Sequence, residues 1–320
     1  MLAVSTFIPL EKPMLTHKKH TFQSILFTNI LASLLILTGL SGSVFAYELE
    51  QKKENNRLVS AGAGMTELVL ALDAGDELVA VDSTSLLPKE LATIKKLGYH
   101  RMLSAEGILA LQPDLVLGTD AMGPESTLAV LRGADVQVVT LTGAKTTGQL
   151  LSNIDALGKL LNRQEQAKRL KSSVNQSFDS IKIKREKLIN SGKVPSILFM
   201  LLQDNRPARI GGKGTAADII IKLAGGKNIA DFSGYTSLSQ EGILSLQPDL
   251  ILISSRAKNK HINEADKVLK QMPLLVHTPA GEHKMIQTLT AQALLGGLGL
   301  SSINAADKLA TDLIEIQKRY

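Results

Sequence analysis

Tyr99, His100 and Arg101 stand in a row in the segment LGYHRMLSAEG, and of the residues in this 320-residue chain they are the best suited to binding chemistry. A phenol two residues from a guanidinium is one whose anion is favoured, because a nearby cation lowers the cost of ionisation. A phenolate oxygen is a competent axial donor to ferric haem iron; a packed or hydrogen-bonded tyrosine is the ordinary alternative use of the same side chain. There are four tyrosines, at 47, 99, 235 and 320. Tyr235 resembles Tyr99 in its setting, since each shortly precedes one copy of a repeated segment.

That segment reads LSAEGILALQPDLVL from Leu103 and LSQEGILSLQPDLIL from Leu238, with twelve of fifteen positions identical. Ser104 and Ser239 are placed as helix N-caps. Ile108, Leu109 and Leu111, like Ile243, Leu244 and Leu246, form an apolar helical face, Pro-Asp stops the helix, and an apolar triplet starts a buried strand. Glu106 and Glu241 fall in the first helical turn, where the helix dipole favours a carboxylate.

Around these copies the chain alternates short apolar runs with amphipathic stretches: RLVSAG at 57–62, MTELVLALDAG, LVAVD, VQVVTL at 136–141, TGQLLSNIDALGKLLN, and then PSILFMLL at 195–202, restarting the order. Strand alternating with helix predicts parallel sheets covered on both faces. Residues 164–189 contain no Gly or Pro and predict one helix roughly 39 Å long at 1.5 Å per residue. The expected architecture is α/β: two Rossmann-like lobes with mainly parallel central sheets, residues 47–163 and 192–320, joined by a helix over 164–191. In open α/β sheets ligands bind beyond the carboxyl ends of the strands, where Tyr99 and Tyr235 are expected. The glycine turn RIGGKGTAAD at 209–218 opens a helix whose free N–H groups, with Arg206, Arg209 or Lys213, could hold a ligand carboxylate; a plain loop is the alternative.

Several function classes are excluded or disfavoured. With no cysteine there is no disulfide, thiolate zinc site or cysteine nucleophile. His100, His261, His277 and His283 lack i, i+4 spacing, which disfavours a multi-histidine metal site. A net charge of +6 with 3% aromatic residues and no stacking pattern argues against nucleic acid as a partner. No nucleophile elbow, zinc-protease motif or phosphate loop occurs, and AGAGMTE lacks the third glycine of a dinucleotide fingerprint. HKKH at 17–20, an apolar run over 25–40 and SVFA ending at Ala46 have the order of a secretory signal peptide, so residues 1–46 are expected to be removed and the product exported. Met1 and Met14 are both possible starts.

LGYHRMLSAEGILALQPDLVLG, followed by MGP, GTAADIIIKLAGG and TPA, resembles the periplasmic haem-binding component of bacterial haem ABC importers, over most of residues 56–300. The same wider group takes vitamin B12 and siderophores, so a corrinoid or ferric siderophore is the alternative ligand and a secreted enzyme using Glu106 and Glu241 a third. The resemblance implies a non-enzymatic carrier of ferric haem b in the periplasm, with Tyr99 on the iron, Arg101 supporting it, Arg256 on a propionate, and Tyr235 on the distal face or a propionate. It implies an inner-membrane ABC permease dimer as partner, docked through Glu106 and Glu241, with an outer-membrane haem receptor as indirect source. LLQDNRP at 201–207 stands where some relatives carry a His, which implies five-coordinate iron. His100 is expected to point away from Tyr99, as neighbours on an extended loop do.

Overall fold

The structure, a computed structural model, describes residues 57–202, 206–255 and 264–318. The expected signal peptide and Arg256 lie outside the described residues.

The first lobe runs β1 (Leu58–Ala61), α1 (Ala63–Ala71), β2 (Leu78–Val81), β3 (Lys95–Lys96), α2 (Ala105–Leu109), β4 (Leu115–Thr119), α3 (Glu125–Gly133), β5 (Gln137–Leu141) and α4 (Thr147–Leu160). Its sheet has the order β3-β2-β1-β4-β5, with every pairing parallel. The central strands read as unbroken apolar runs because both faces are covered. Leu58, Leu115 and Leu117 turn to a core shared with Leu68, Val69, Ile154 and Leu157, while Val59, Ala61 and Val116 turn to one shared with Ile108, Leu128 and Leu131.

After the helix α5 (Gln164–Asn190), the second lobe runs β6 (Ser196–Leu201), β7 (Arg209–Gly211), α6 (Ala216–Ala224), β8 (Lys227–Asn228), β9 (Tyr235–Ser237), α7 (Gln240–Leu246), β10 (Leu250–Ser255), α8 (Glu264–Gln271), α9 (Pro279–Glu282), β11 (Ile286–Thr290), α10 (Ala291–Leu294) and α11 (Leu300–Gln317). Its sheet order is β11-β10-β6-β7-β9, with β8 beside β6. Here the parallel pattern is interrupted: β7 runs antiparallel to both β6 and β9. The segment carrying Tyr235, read from the sequence as the end of a loop, is therefore an edge strand.

The two repeats build the same piece of structure. Ser104 Oγ accepts from Gly107 N at 3.3 Å and Ser239 Oγ from Gly242 N at 3.2 Å. Gln112 and Gln247 take the left-handed conformation (φ 46° and 47°) that turns the chain out of each helix. Asp114 then accepts from Arg57 N at 2.7 Å, and Asp249 from Ser196 N at 2.8 Å. Each Asp thus ties the start of a repeat strand to the residue that opens its neighbour. These contacts account for Ser, Gln and Asp in both copies, while Glu106 and Glu241 stand exposed in the first turn of their helices.

The 27-residue helix α5 packs against α4 of the first lobe and against α6 and α11 of the second. Its buried residues Ala167, Val174, Ile181 and Leu188 recur every seventh position, two helical turns apart, and belong to one core that runs through both lobes. Lys184 Nζ reaches Asp307 Oδ1 at 2.7 Å, fixing the same helix to α11. Ile181 is 1% exposed, so Ile181→Ala should cost about 2–5 kcal/mol in urea unfolding. A loss below about 0.5 kcal/mol would show that this stripe does not hold the lobes.

Candidate functional site

A cleft of about 500 Å³ lies between the lobes. It opens beyond the carboxyl ends of β1, β4 and β5, through Gly62, Thr119 and Gly143, and receives Tyr99, His100 and Arg101 from the first lobe and Gly214, Ala216 and Tyr235 from the second. This is where an open parallel sheet leaves its loops free to meet a ligand.

Tyr99 and Arg101 both line the cleft. Tyr99 is 41% exposed. Among the described residues no hydrogen bond reaches its hydroxyl, and Arg101, also exposed, makes no ion pair. A phenol and a guanidinium left without protein partners at a cleft wall are available to a ligand. Tyr235 faces them from the other lobe, 36% exposed. Arg209 lies over its ring, 5.2 Å from the centroid. Burial pushes the Tyr235 phenol up and the Arg209 charge only partly opposes it. Tyr235 accordingly offers a neutral hydroxyl rather than an anionic donor.

The glycine turn, read from the sequence as an anion cradle or a plain loop, carries a carboxylate of its own. Gly214 N donates to Asp218 Oδ2 at 2.9 Å, Lys222 Nζ to the same oxygen at 2.8 Å, and Asn228 to the other oxygen at 3.0 Å. Lys213 pairs with Asp231. The turn's own carboxylate thus takes the Gly214 N–H, and Gly214 and Ala216 line the cleft. Arg209 touches the cleft only through Tyr235.

His100 departs from expectation. The chain turns here, with Met102 N donating to Tyr99 O at 2.7 Å, so the side chains are not thrown to opposite sides as on an extended strand. The two rings lie 4.4 Å apart, centroid to centroid, tilted by 56°. Behind them is a polar chain that the sequence VDSTS did not reveal. Asp82, buried at the end of β2, lies 3.1 Å from His100 Nδ1, accepts from Ser85 Oγ at 2.6 Å and Thr84 Oγ1 at 2.6 Å, and Ser85 continues to Thr66 at 2.7 Å. Burial alone would raise the Asp82 carboxyl, but hydrogen bonds from His100, Ser85, Thr84 and Gly62 N–H outweigh it and hold the group well below the carboxylate range. With the folded value below the unfolded one, this stabilisation is present at neutral pH and is lost as pH falls below about 4. Asp82→Asn should cost about 2–3 kcal/mol at pH 7, with the gap from wild type narrowing under acid. A constant gap down to pH 3 would show that shape, not charge, matters there.

The segment Leu294–Gly299 was missed from the sequence. It returns from the second lobe to floor the cleft. Leu298 N donates to Ala144 O at 2.7 Å, and Gly296, at φ 137°, lies so close to Gly64 that a Cβ on it would stand 3.0 Å from Gly64 N. Just beyond, Ser301 donates to Glu67 of α1 through both its N–H and its hydroxyl. The signal was three glycines in four residues, at 296, 297 and 299. Among the described residues no three His, Cys, Asp or Glu side chains gather as a metal site, and no helix is long and apolar enough to cross a membrane.

Two α/β lobes held by one helix around an open cleft, with polar groups left unsatisfied on its walls, define a ligand-binding protein. The comparisons give the family: the model for periplasmic binding proteins matches residues 58–293, and the chain belongs to that family. It is 40% identical to the periplasmic haem-binding protein HutB of Vibrio cholerae, with a TM-score of 0.74 over 81% of this chain and 99% of that one. It is 32% identical to a periplasmic haem-binding protein from Pseudomonas aeruginosa, with a TM-score of 0.74 over 81% and 92%. It is also 28% identical to a vitamin B12-binding protein of Pectobacterium atrosepticum, over 68% of this chain and 76% of that one. The family consists of substrate-binding components of ABC importers rather than enzymes, so an ABC permease is the implied partner and the place of work is outside the cytoplasm.

Proposed function

We propose that this protein captures ferric haem b in the inter-lobe cleft and delivers it to an inner-membrane ABC permease. The observation that carries the reading is the unpartnered Tyr99 phenol on the cleft wall, two residues from an unpaired guanidinium. Tyr99 binds the iron, Arg101 supports its oxygen, and Tyr235, steadied by Arg209, meets the opposite face or a propionate. A cleft of about 500 Å³ suits a ligand of this class, and haem-binding relatives at 40% and 32% identity support it. Arg256 remains the propionate partner suggested by family resemblance. Residues 1–46 act as a cleaved signal that delivers lobes 47–163 and 192–320, with linker 164–191, to the periplasm, where an outer-membrane receptor supplies haem.

A corrinoid on the same scaffold is the second reading, favoured by the vitamin B12-binding relative. Absorption spectra of the purified protein with hemin, cyanocobalamin and a ferric siderophore separate the readings. The haem reading expects a tyrosinate-to-iron charge-transfer band with hemin and no retention of the other two. Retention of cyanocobalamin with no hemin band would overturn it.

A further inference from the structure

His100 is placed for more than packing. Its Nδ1 lies 3.1 Å from Asp82 Oδ2, and the Asp82 side chain is fully buried while that of His100 is 12% exposed. A carboxylate only accepts, so the proton between them belongs to Nδ1, and Nε2 is the nitrogen left for a ligand. Nε2 is on the far edge of the ring and has no hydrogen-bond partner among the described residues. It is nevertheless absent from the buried atoms left without one, of which Gln292 Nε2 is the only case among them. That nitrogen is therefore not sealed off, and His100 lines the cleft. An imidazole whose Nδ1–H is held by a carboxylate is the arrangement that orients histidine towards a metal.

Resting on the haem reading, we propose that His100 Nε2 is a second axial donor for the haem iron, on the same wall as Tyr99. Tyr99, at 41% exposure, is the more exposed of the two rings. With the rings 4.4 Å apart, a small pivot of the haem exchanges one donor for the other. The Fe–O bond to Tyr99 breaks, the Nε2 lone pair forms an Fe–N bond, and the released phenolate oxygen takes a proton from solvent. No electron changes hands. Such an exchange lets the iron leave its anionic ligand without passing through an uncoordinated state.

The test uses the whole protein loaded with hemin, in wild type, Tyr99→Phe, Tyr99→Ala and Tyr99→Phe/His100→Ala forms, each checked for native circular dichroism. Tyr99→Phe, or Tyr99→Ala if the phenyl ring blocks approach, should keep hemin and, after reduction with dithionite, show an iron–imidazole stretch by resonance Raman. The double variant should lack that stretch and bind hemin about tenfold more weakly, a difference of ~1.4 kcal/mol. If neither single variant shows the stretch, or the double variant binds as well as Tyr99→Phe, the inference is overturned while a tyrosinate band in wild type keeps the haem reading intact. A wild type that takes up no hemin removes both.

Discussion

Tyr99→Phe should abolish the tyrosinate charge-transfer band of the hemin complex and weaken hemin binding by about 100-fold, or ~2.7 kcal/mol. On the proposed haem reading Tyr99 is the oxygen donor to the iron, and removing that oxygen takes away a coordinate bond to the ferric centre. The fold should not notice. Tyr99 is 41% exposed and its hydroxyl holds nothing in place, so unfolding in urea should shift by less than about 0.5 kcal/mol. Tyr235→Phe makes the contrast, because burial raises that phenol and it contributes no anion; its complex should retain the band. An unchanged spectrum in Tyr99→Phe would sink the ligand assignment, and loss of the band in Tyr235→Phe would reverse the two roles.

Replacing Glu106 and Glu241 together by Lys should stop haem delivery in vesicles carrying the permease, while the hemin spectrum stays as in wild type. Both carboxylates are exposed, in the first turn of the two repeated helices, and neither lines the cleft. Hydrogen bonds from its own N–H and from Ser239 hold the Glu241 carboxyl below its usual value, so it is ionised wherever the protein works. Two related lobes meeting a permease of two related halves need matching contacts, which a repeated segment supplies. Pairing with arginine on the permease would be charge-assisted and would fade with salt. Reversal to Lys turns attraction into repulsion, expected to lower the transport rate at least about tenfold. The melting temperature should move by no more than about 3 °C. Normal delivery by the double variant would leave the two glutamates as helix starts and nothing more.

Much of this architecture is written locally. Apolar triplets such as Leu115–Leu117 and Leu250–Leu252 announce strands covered on both faces, because a parallel sheet buries alternate residues in two cores rather than one. The linker is legible for the same kind of reason: residues 164–189 hold no Gly or Pro, and the helix observed is Gln164–Asn190. Tyr99 and Tyr235 stood out through scarcity and through their place ahead of the repeats. These are properties of neighbours along the chain, so composition and period carry them.

What the tertiary structure decided depends on residues far apart in sequence. Nothing in VDSTS marks it as a buried network, yet it closes one, because β2 ends beside the turn that carries His100, 18 residues on from Asp82. That turn, set by the Met102 N–H to Tyr99 carbonyl bond, reverses the expectation drawn from an extended chain and puts imidazole beside phenol. The Gly214 N–H of RIGGKGTAAD looks free until Asp218 folds back upon it. Leu294–Gly299 becomes the cleft floor only when Gly296 lies against Gly64, an approach across more than two hundred residues that local pattern cannot encode. Sequence alone determined the layers, the linker and the two tyrosines, because burial period and helix propensity act between neighbours. Which donors remain free to a ligand was decided by the fold, because satisfying a polar group takes a partner in space, wherever in the chain it comes from.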